Sequence, residues 1–290
     1  MSRKVTVNLF EVSRTEGTQP LSATLDEFAA LTLDQRLRTD VRLEHIDKHP
    51  PDTVLPFVVY LLNFAKAREI GPGKMAADHP VSDVGLSPDE LFGEETAALY
   101  IPAKNWILVL NNHYGIGPSR MATYFNALDP GSDRHFFYTI APKIDQSALE
   151  KMQAMPNFAE VEITANVGAF ETGEMVGESV YEATSGVGAQ RLSLKLCANE
   201  AHKKGHVLNL QNIRGFIDRV LARSDDVSVL KVKSADQAAT DQDRVINLIE
   251  HKIKLRYSDS ALQVFNHRYT LASKINLLRQ SCRYWLDTLT

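Results

Sequence analysis

The chain has 290 residues, 44% of them hydrophobic and 23% charged, with a formal net charge of −4. That is long enough to bury a sizeable core and to hold two domains, and the composition is that of an ordinary soluble protein. No apolar run approaches the roughly 20 residues that a membrane-spanning helix needs. The first residues, MSRKVTVNLFEVSR, alternate like a strand and carry no signal-peptide core, so a cytoplasmic location is expected.

In chain order, period-two alternation predicts strands near residues 4–12, 41–46 and 54–64, all in one sheet, with the last apolar enough for its interior. Residues 70–83, with Gly71, Pro72, Gly73 and Pro80, read as a loop. Ser87-Pro88-Asp89-Glu90 then has the chemistry of a helix start, with serine as cap and proline in the first helical position. Apolar runs at 97–102 and 106–111, separated by Ala103-Lys104-Asn105, have hairpin spacing.

Residues 111–121, NNHYGIGPSRM, stand between a strand and a helix start, the layout that holds phosphate groups on free backbone N–H donors. The details fail that test. Gly115-Ile116-Gly117 is followed by Pro118-Ser119-Arg120, without the third glycine of a dinucleotide fingerprint or the Lys-Ser/Thr of a Walker loop. Pro118 also removes one donor while suiting the first turn of a helix over 119–128. A glycine turn feeding a helix is expected.

Further strands are predicted at 136–141, 160–167, 191–197, 227–232 and 244–257, and helices at 146–155, 208–222 and 261–289. Residues 168–190 hold five glycines, Gly168, Gly173, Gly177, Gly186 and Gly188, among acidic and small side chains, and read as a flexible hinge. The expected fold is mixed α+β, with mainly antiparallel sheets flanked by helices. It divides into an acidic domain over 1–167, the hinge over 168–190 with Gly173, Gly177, Gly186 and Gly188 as pivots, and a basic domain over 191–290. Cys197 and Cys282, in apolar surroundings and without metal-ligand spacing, are expected to be buried thiols.

The charge is unevenly distributed. Residues 191–290 carry 17 Lys and Arg against 10 Asp and Glu, which leaves 15 against 26 in residues 1–190. Side chains two apart on a strand share a face, so Lys231 and Lys233 form one cationic row and Lys252, Lys254 and Arg256 another. Together with Lys203, Lys204 and Arg214 they suit a surface that grips phosphate backbone, which requires spread-out charge and no motif. A solvated lysine-rich sheet face, or pairing with an acidic surface, accounts for the same pattern.

The order of parts, from Pro88-Asp89-Glu90-Leu91 through a hairpin to Gly117-Pro118-Ser119, then a glycine-rich middle followed by RLSLKLCANEAHKKG and a helix, resembles the RexA-like phage-exclusion proteins of the lambda Rex system. That resemblance implies sequence-indifferent DNA binding by a homodimer of two domains joined by a swivel, and signalling to a membrane partner during phage infection. Two alternatives belong to other classes. Glu250-His251-Lys252 supplies the Glu-x-Lys half of a nuclease metal site, with Asp225, Asp226, Asp241 or Asp243 as a further ligand. A non-catalytic adaptor would use the basic third to hold an acidic partner. The histidines form no metalloprotease or nucleophile-activating motif. The reading adopted is a non-enzymatic DNA-binding protein without metal or cofactor.

Overall fold

A computed structural model describes residues 4–74, 80, 82–127, 138–155, 157–166, 189–198, 207–222, 227–236 and 245–289. The fold is mixed α+β, with strands mainly in antiparallel sheets. The chain forms two compact units. The first comprises Met1–Val7, Arg14–Tyr138 and Leu255–Thr290, and the second Asn8–Ser13 and Thr139–Lys254.

In the first unit, β1 (Lys4–Arg14) leads to α1 (Leu21–Ala29), the short β2 (Leu37–Arg38), β3 (Val41–His49), β4 (Val59–Arg68), β5 (Phe92–Ile101) and β6 (Trp106–Leu110), followed by α2 (Pro118–Asn126). β5 and β6 form the expected hairpin, turned by a 3-10 segment (Pro102–Lys104) and by Asn105 in the left-handed region at φ 51°. Alternation along β4 sends Tyr60, Leu62 and Phe64 to one face, where Phe64 meets Tyr124 and Phe125 of α2 edge-on at 5.6 and 5.9 Å.

The second unit contains β7 (Tyr138–Pro142, its first residue counted with the first unit), α3 (Gln146–Gln153), β8 (Phe158–Asn166), β9 (Arg191–Cys197), α4 (Leu210–Ala222), β10 (Val227–Ser234) and β11 (Val245–Asn247). Its four-stranded sheet runs β11-β10-β8-β9, and every pairing in it is antiparallel. Val161, Ile163, Leu230 and Val232 line one face and form a core with Ile217 and Val220 of α4 and Met152 of α3. Removing each such large side chain from water contributes about 1.5–3 kcal/mol, so this face fixes the register of the sheet.

The chain closes with β12 (Lys254–Ser258), the hairpin β13 (Val264–Phe265) and β14 (Arg268–Tyr269), and α5 (Leu271–Thr288). An eight-stranded sheet orders β12-β1-β6-β5-β4-β3-β2, with β7 pairing β1 off that path. α5 packs on β5 and β6 through a helical stripe that includes Lys274, Leu277, Leu278, Ser281, Cys282 and Trp285.

Several expectations need correction. The residues at 87–90 form a single turn and no helix: the Glu90 N–H donates to the Ser87 carbonyl at 2.9 Å, and β5 begins at Phe92 because pairing with β4 claims the chain from there. The predicted strand at 244–257 is two strands separated by a turn, through which Leu248 enters the core of the second unit. Residues 261–269 are 3-10 turn and hairpin before the last helix, and α1 was not anticipated. Residues 168–188 of the glycine-rich stretch, with its pivots Gly173, Gly177, Gly186 and Gly188, lie outside the described residues. Its flanking strands β8 and β9 are hydrogen-bonded neighbours within the second unit, so the compact units do not divide at residues 168–190.

Candidate nucleic-acid interface

The face of the four-stranded sheet opposite the apolar core is built by simple alternation. Where Val161, Ile163 and Ala165 of β8 point into the core, Glu160, Glu162 and Thr164 point the other way, half-buried. β10 contributes Lys231 and Lys233, and β9 contributes Arg191, Ser193, Lys195 and Cys197. Register then decides the chemistry: Glu162 lies between Lys195 and Lys231, and Glu160 lies between Cys197 and Lys233. A central row of carboxylate is therefore flanked on both sides by cation.

Lys195 Nζ lies 2.8 Å from Glu160 Oε2, and Lys231 Nζ lies 3.9 Å from Glu162 Oε2. The hydrogen bond to Glu160 raises the pKa of Lys195 above its ordinary value and keeps it charged. Among the described residues Lys233 makes no ion pair. Arg191 donates to Ser228 Oγ, which in turn donates to the Thr164 carbonyl at 3.1 Å and holds the guanidinium along the sheet. Among the described residues of this face, four cations stand against two carboxylates.

The residues expected to bind DNA do not all gather here. Lys231 and Lys233 do, joined by Arg191 and Lys195, which alternate positions on β9 place on the same face. Arg214 sits on α4, the helix that packs against the other face of the sheet, and donates to the Gln153 carbonyl at 3.3 Å. Lys254 and Arg256 lie exposed on β12 at an edge of the other sheet, and Lys252 occupies an isolated bridge with Ile144. Lys203 and Lys204 lie outside the described residues.

The nuclease geometry loses its strand. Glu250 stands in the turn after β11 and accepts from Asn247 Nδ2 at 2.7 Å, so no pleat aligns it with Lys252. Asp225, Asp226, Asp241 and Asp243 lie outside the described residues, among which no three acidic, histidine or cysteine side chains cluster as metal ligands. Cys282 is buried, with its thiol pushed up to about 12 by burial, whereas Cys197 is exposed on β9, contrary to expectation.

The stretch NNHYGIGPSRM is a structural turn. Asn112 Nδ2 donates to the Glu95 carbonyl at 2.8 Å, and the Ile116 N–H donates to Thr96 Oγ1 at 3.0 Å. A Cβ at Gly115 would lie 2.1 Å from that same hydroxyl, so close approach to β5 explains the glycine.

With fold and face defined, the chain can be placed among known proteins. It belongs to the family of unknown function DUF6731, whose sequence profile matches residues 8–267, from within β1 to the turn between β13 and β14. A search of curated proteins finds no match. The family description carries no function and adds nothing to the RexA-like resemblance. No helix among the described residues is long and apolar enough to cross a membrane.

Proposed function

We propose that the protein acts in the cytoplasm as a sequence-indifferent DNA-binding protein, gripping phosphate backbone on the open face of the β11-β10-β8-β9 sheet. The observation that supports this reading is the pair of cationic rows, Arg191 with Lys195 and Lys231 with Lys233, on either side of β8. Glu160 and Glu162 hold the lysine stems in place and lower the net charge, so binding is modest and strongly salt-dependent. The setting in phage exclusion, with a membrane partner, draws on the RexA-like resemblance alone.

The test is fluorescence anisotropy with unrelated duplexes and single strands of equal length across a salt series. Four phosphate contacts give a slope of log K on log salt of about −3.6 on duplex DNA. Replacing Lys231 and Lys233 with Glu weakens all sequences alike, whereas the same change at Lys254 and Arg256 has a smaller effect. A strong preference for one sequence, or binding that survives the Lys231/Lys233 reversal, overturns the assignment. Incubating the complex with Mg²⁺ or Mn²⁺ tests the nuclease alternative directly, since metal-dependent cleavage abolished by Glu250→Ala would establish it. The adaptor reading gains if no nucleic acid binds at low salt.

A further inference from the structure

The two edges of the four-stranded sheet differ. β11 is three residues long and runs straight into a turn, which leaves little edge to pair. β9 is seven residues long, contains neither proline nor glycine, and pairs with β8 in unbroken register from Arg191 to Cys197. Among the described residues no strand lies on its outer side. The inner ladder reveals which groups are left over. The Ala198 N–H donates to the Ala159 carbonyl at 2.9 Å. Backbone groups alternate sides along a strand, so Leu192, Leu194 and Leu196 direct theirs at β8, while Arg191, Ser193, Lys195 and Cys197 direct N–H and C=O outward. On the core face, those three leucines remain only partly buried while Val161 and Ile163 beside them are fully covered.

We propose that β9 pairs antiparallel with β9 of a second copy of this chain about a two-fold axis at Leu194, joining two four-stranded sheets into one. Sequence and parity select this register. Centred on Leu194, Arg191 faces Cys197 of the other copy and Ser193 faces Lys195, and these pairs are the ones whose N–H and C=O groups point outward. Leu194 meets its own copy and Leu192 meets Leu196, in the closer non-hydrogen-bonded positions where side chains cover one another best. Centring on Ser193 would set Arg191 against Lys195, and centring on Lys195 would set two lysines face to face, both unfavourable. Only the Leu194 register of these three keeps cation from opposing cation. The two open faces then lie on the same side of a continuous sheet. Pairing through β9 does not depend on phosphate binding, and no nucleic acid is needed to detect it.

Sedimentation equilibrium of the full chain should show a dimer. Ser193→Pro removes an outward N–H in each copy and the Ser193–Thr164 hydroxyl bond of 2.9 Å but none of the backbone bonds to β8, so against a Ser193→Ala control it should weaken the dimer at least about tenfold while the melting temperature of the monomer changes little. Ser193→Lys places like charges opposite each other and should also weaken it, whereas Ser193→Glu faces Lys195 and should tighten it. Agreement of the Lys and Glu variants in opposite directions keeps the test decisive even where Ser193→Pro fails to fold. A monomeric wild type at about 100 μM protein, on the order of weak transient interfaces, overturns the proposal. So does a dimer that is indifferent to all three changes, and so does an edge that binds extended peptides of other sequence while the chain stays monomeric.

Discussion

Two residues of the first unit have roles that their types alone do not announce. Glu95, on β5, accepts from Lys274 Nζ at 2.9 Å, Arg268 at 3.0 Å and Asn63 Nδ2 at 3.2 Å. Burial pushes its carboxyl up, but the two cations outweigh burial and hold it below the ordinary glutamate value. The Lys274 side chain is only 9% exposed, so Glu95→Gln strands a buried ammonium. The expected loss is about 2–3 kcal/mol, at the lower end for a broken buried pair because Glu95 itself keeps contact with water. A carboxylate with a depressed folded pKa stabilises above its unfolded value and loses that contribution as pH falls through the folded one. Urea denaturation should therefore give wild type a midpoint that declines as the pH drops below about 4.5, the unperturbed glutamate value. Asp52 extends this decline. The Leu55 N–H, the Arg279 guanidinium and the Val54 N–H bring it to about 2. Glu95→Gln should start lower and decline less steeply. Gly115→Ala is predicted to cost about 1–3 kcal/mol by crowding the buried Thr96 hydroxyl. In a Thr96→Ala background the cost should shrink, and equal costs in both backgrounds would refute the close-approach explanation.

At the scale of elements, the legible parts were those whose signal is local. Arg191–Cys197 reads as RLSLKLC and is a strand over those residues, and the β5–β6 hairpin follows from two apolar runs and a short polar link. α1 escaped notice because its nine residues follow Pro20 with no side-chain cap and no acidic first turn. The helix start at 87–90 was persuasive locally and lost to strand pairing. The β13–β14 hairpin turns on Asn266 and His267 at φ 47° and 62°, a pair far less recognisable than Asn-Gly. In the candidate site, same-face lysines were visible from period two, whereas the glutamates between them were not, because strand partners distant in sequence are set by tertiary register. That acidic row yields its own prediction. Replacing Glu160 and Glu162 with Gln leaves the four cations unopposed and should raise affinity for every duplex at low salt, read by the same anisotropy titration. An unchanged or weakened affinity would mean that phosphates do not approach this face.

For the molecule as a whole, the sequence suggested a front half and a back half, but the chain does not divide that way. Residues 139–254 of the second unit interrupt the first, which resumes at Leu255 and ends with α5. Charge and composition run along the chain and cannot report such an insertion, since only contacts between distant segments define it. The consequence is one of timing. Glu95 and Lys274 are 179 residues apart in the chain. At translation rates of about 5–20 residues per second, the carboxylate emerges roughly 9–36 s before the lysine that neutralises it. During synthesis the β11-β10-β8-β9 sheet of the second unit has all its strands available while β5 still lacks α5, so that sheet is placed to fold on the ribosome before the first unit is complete.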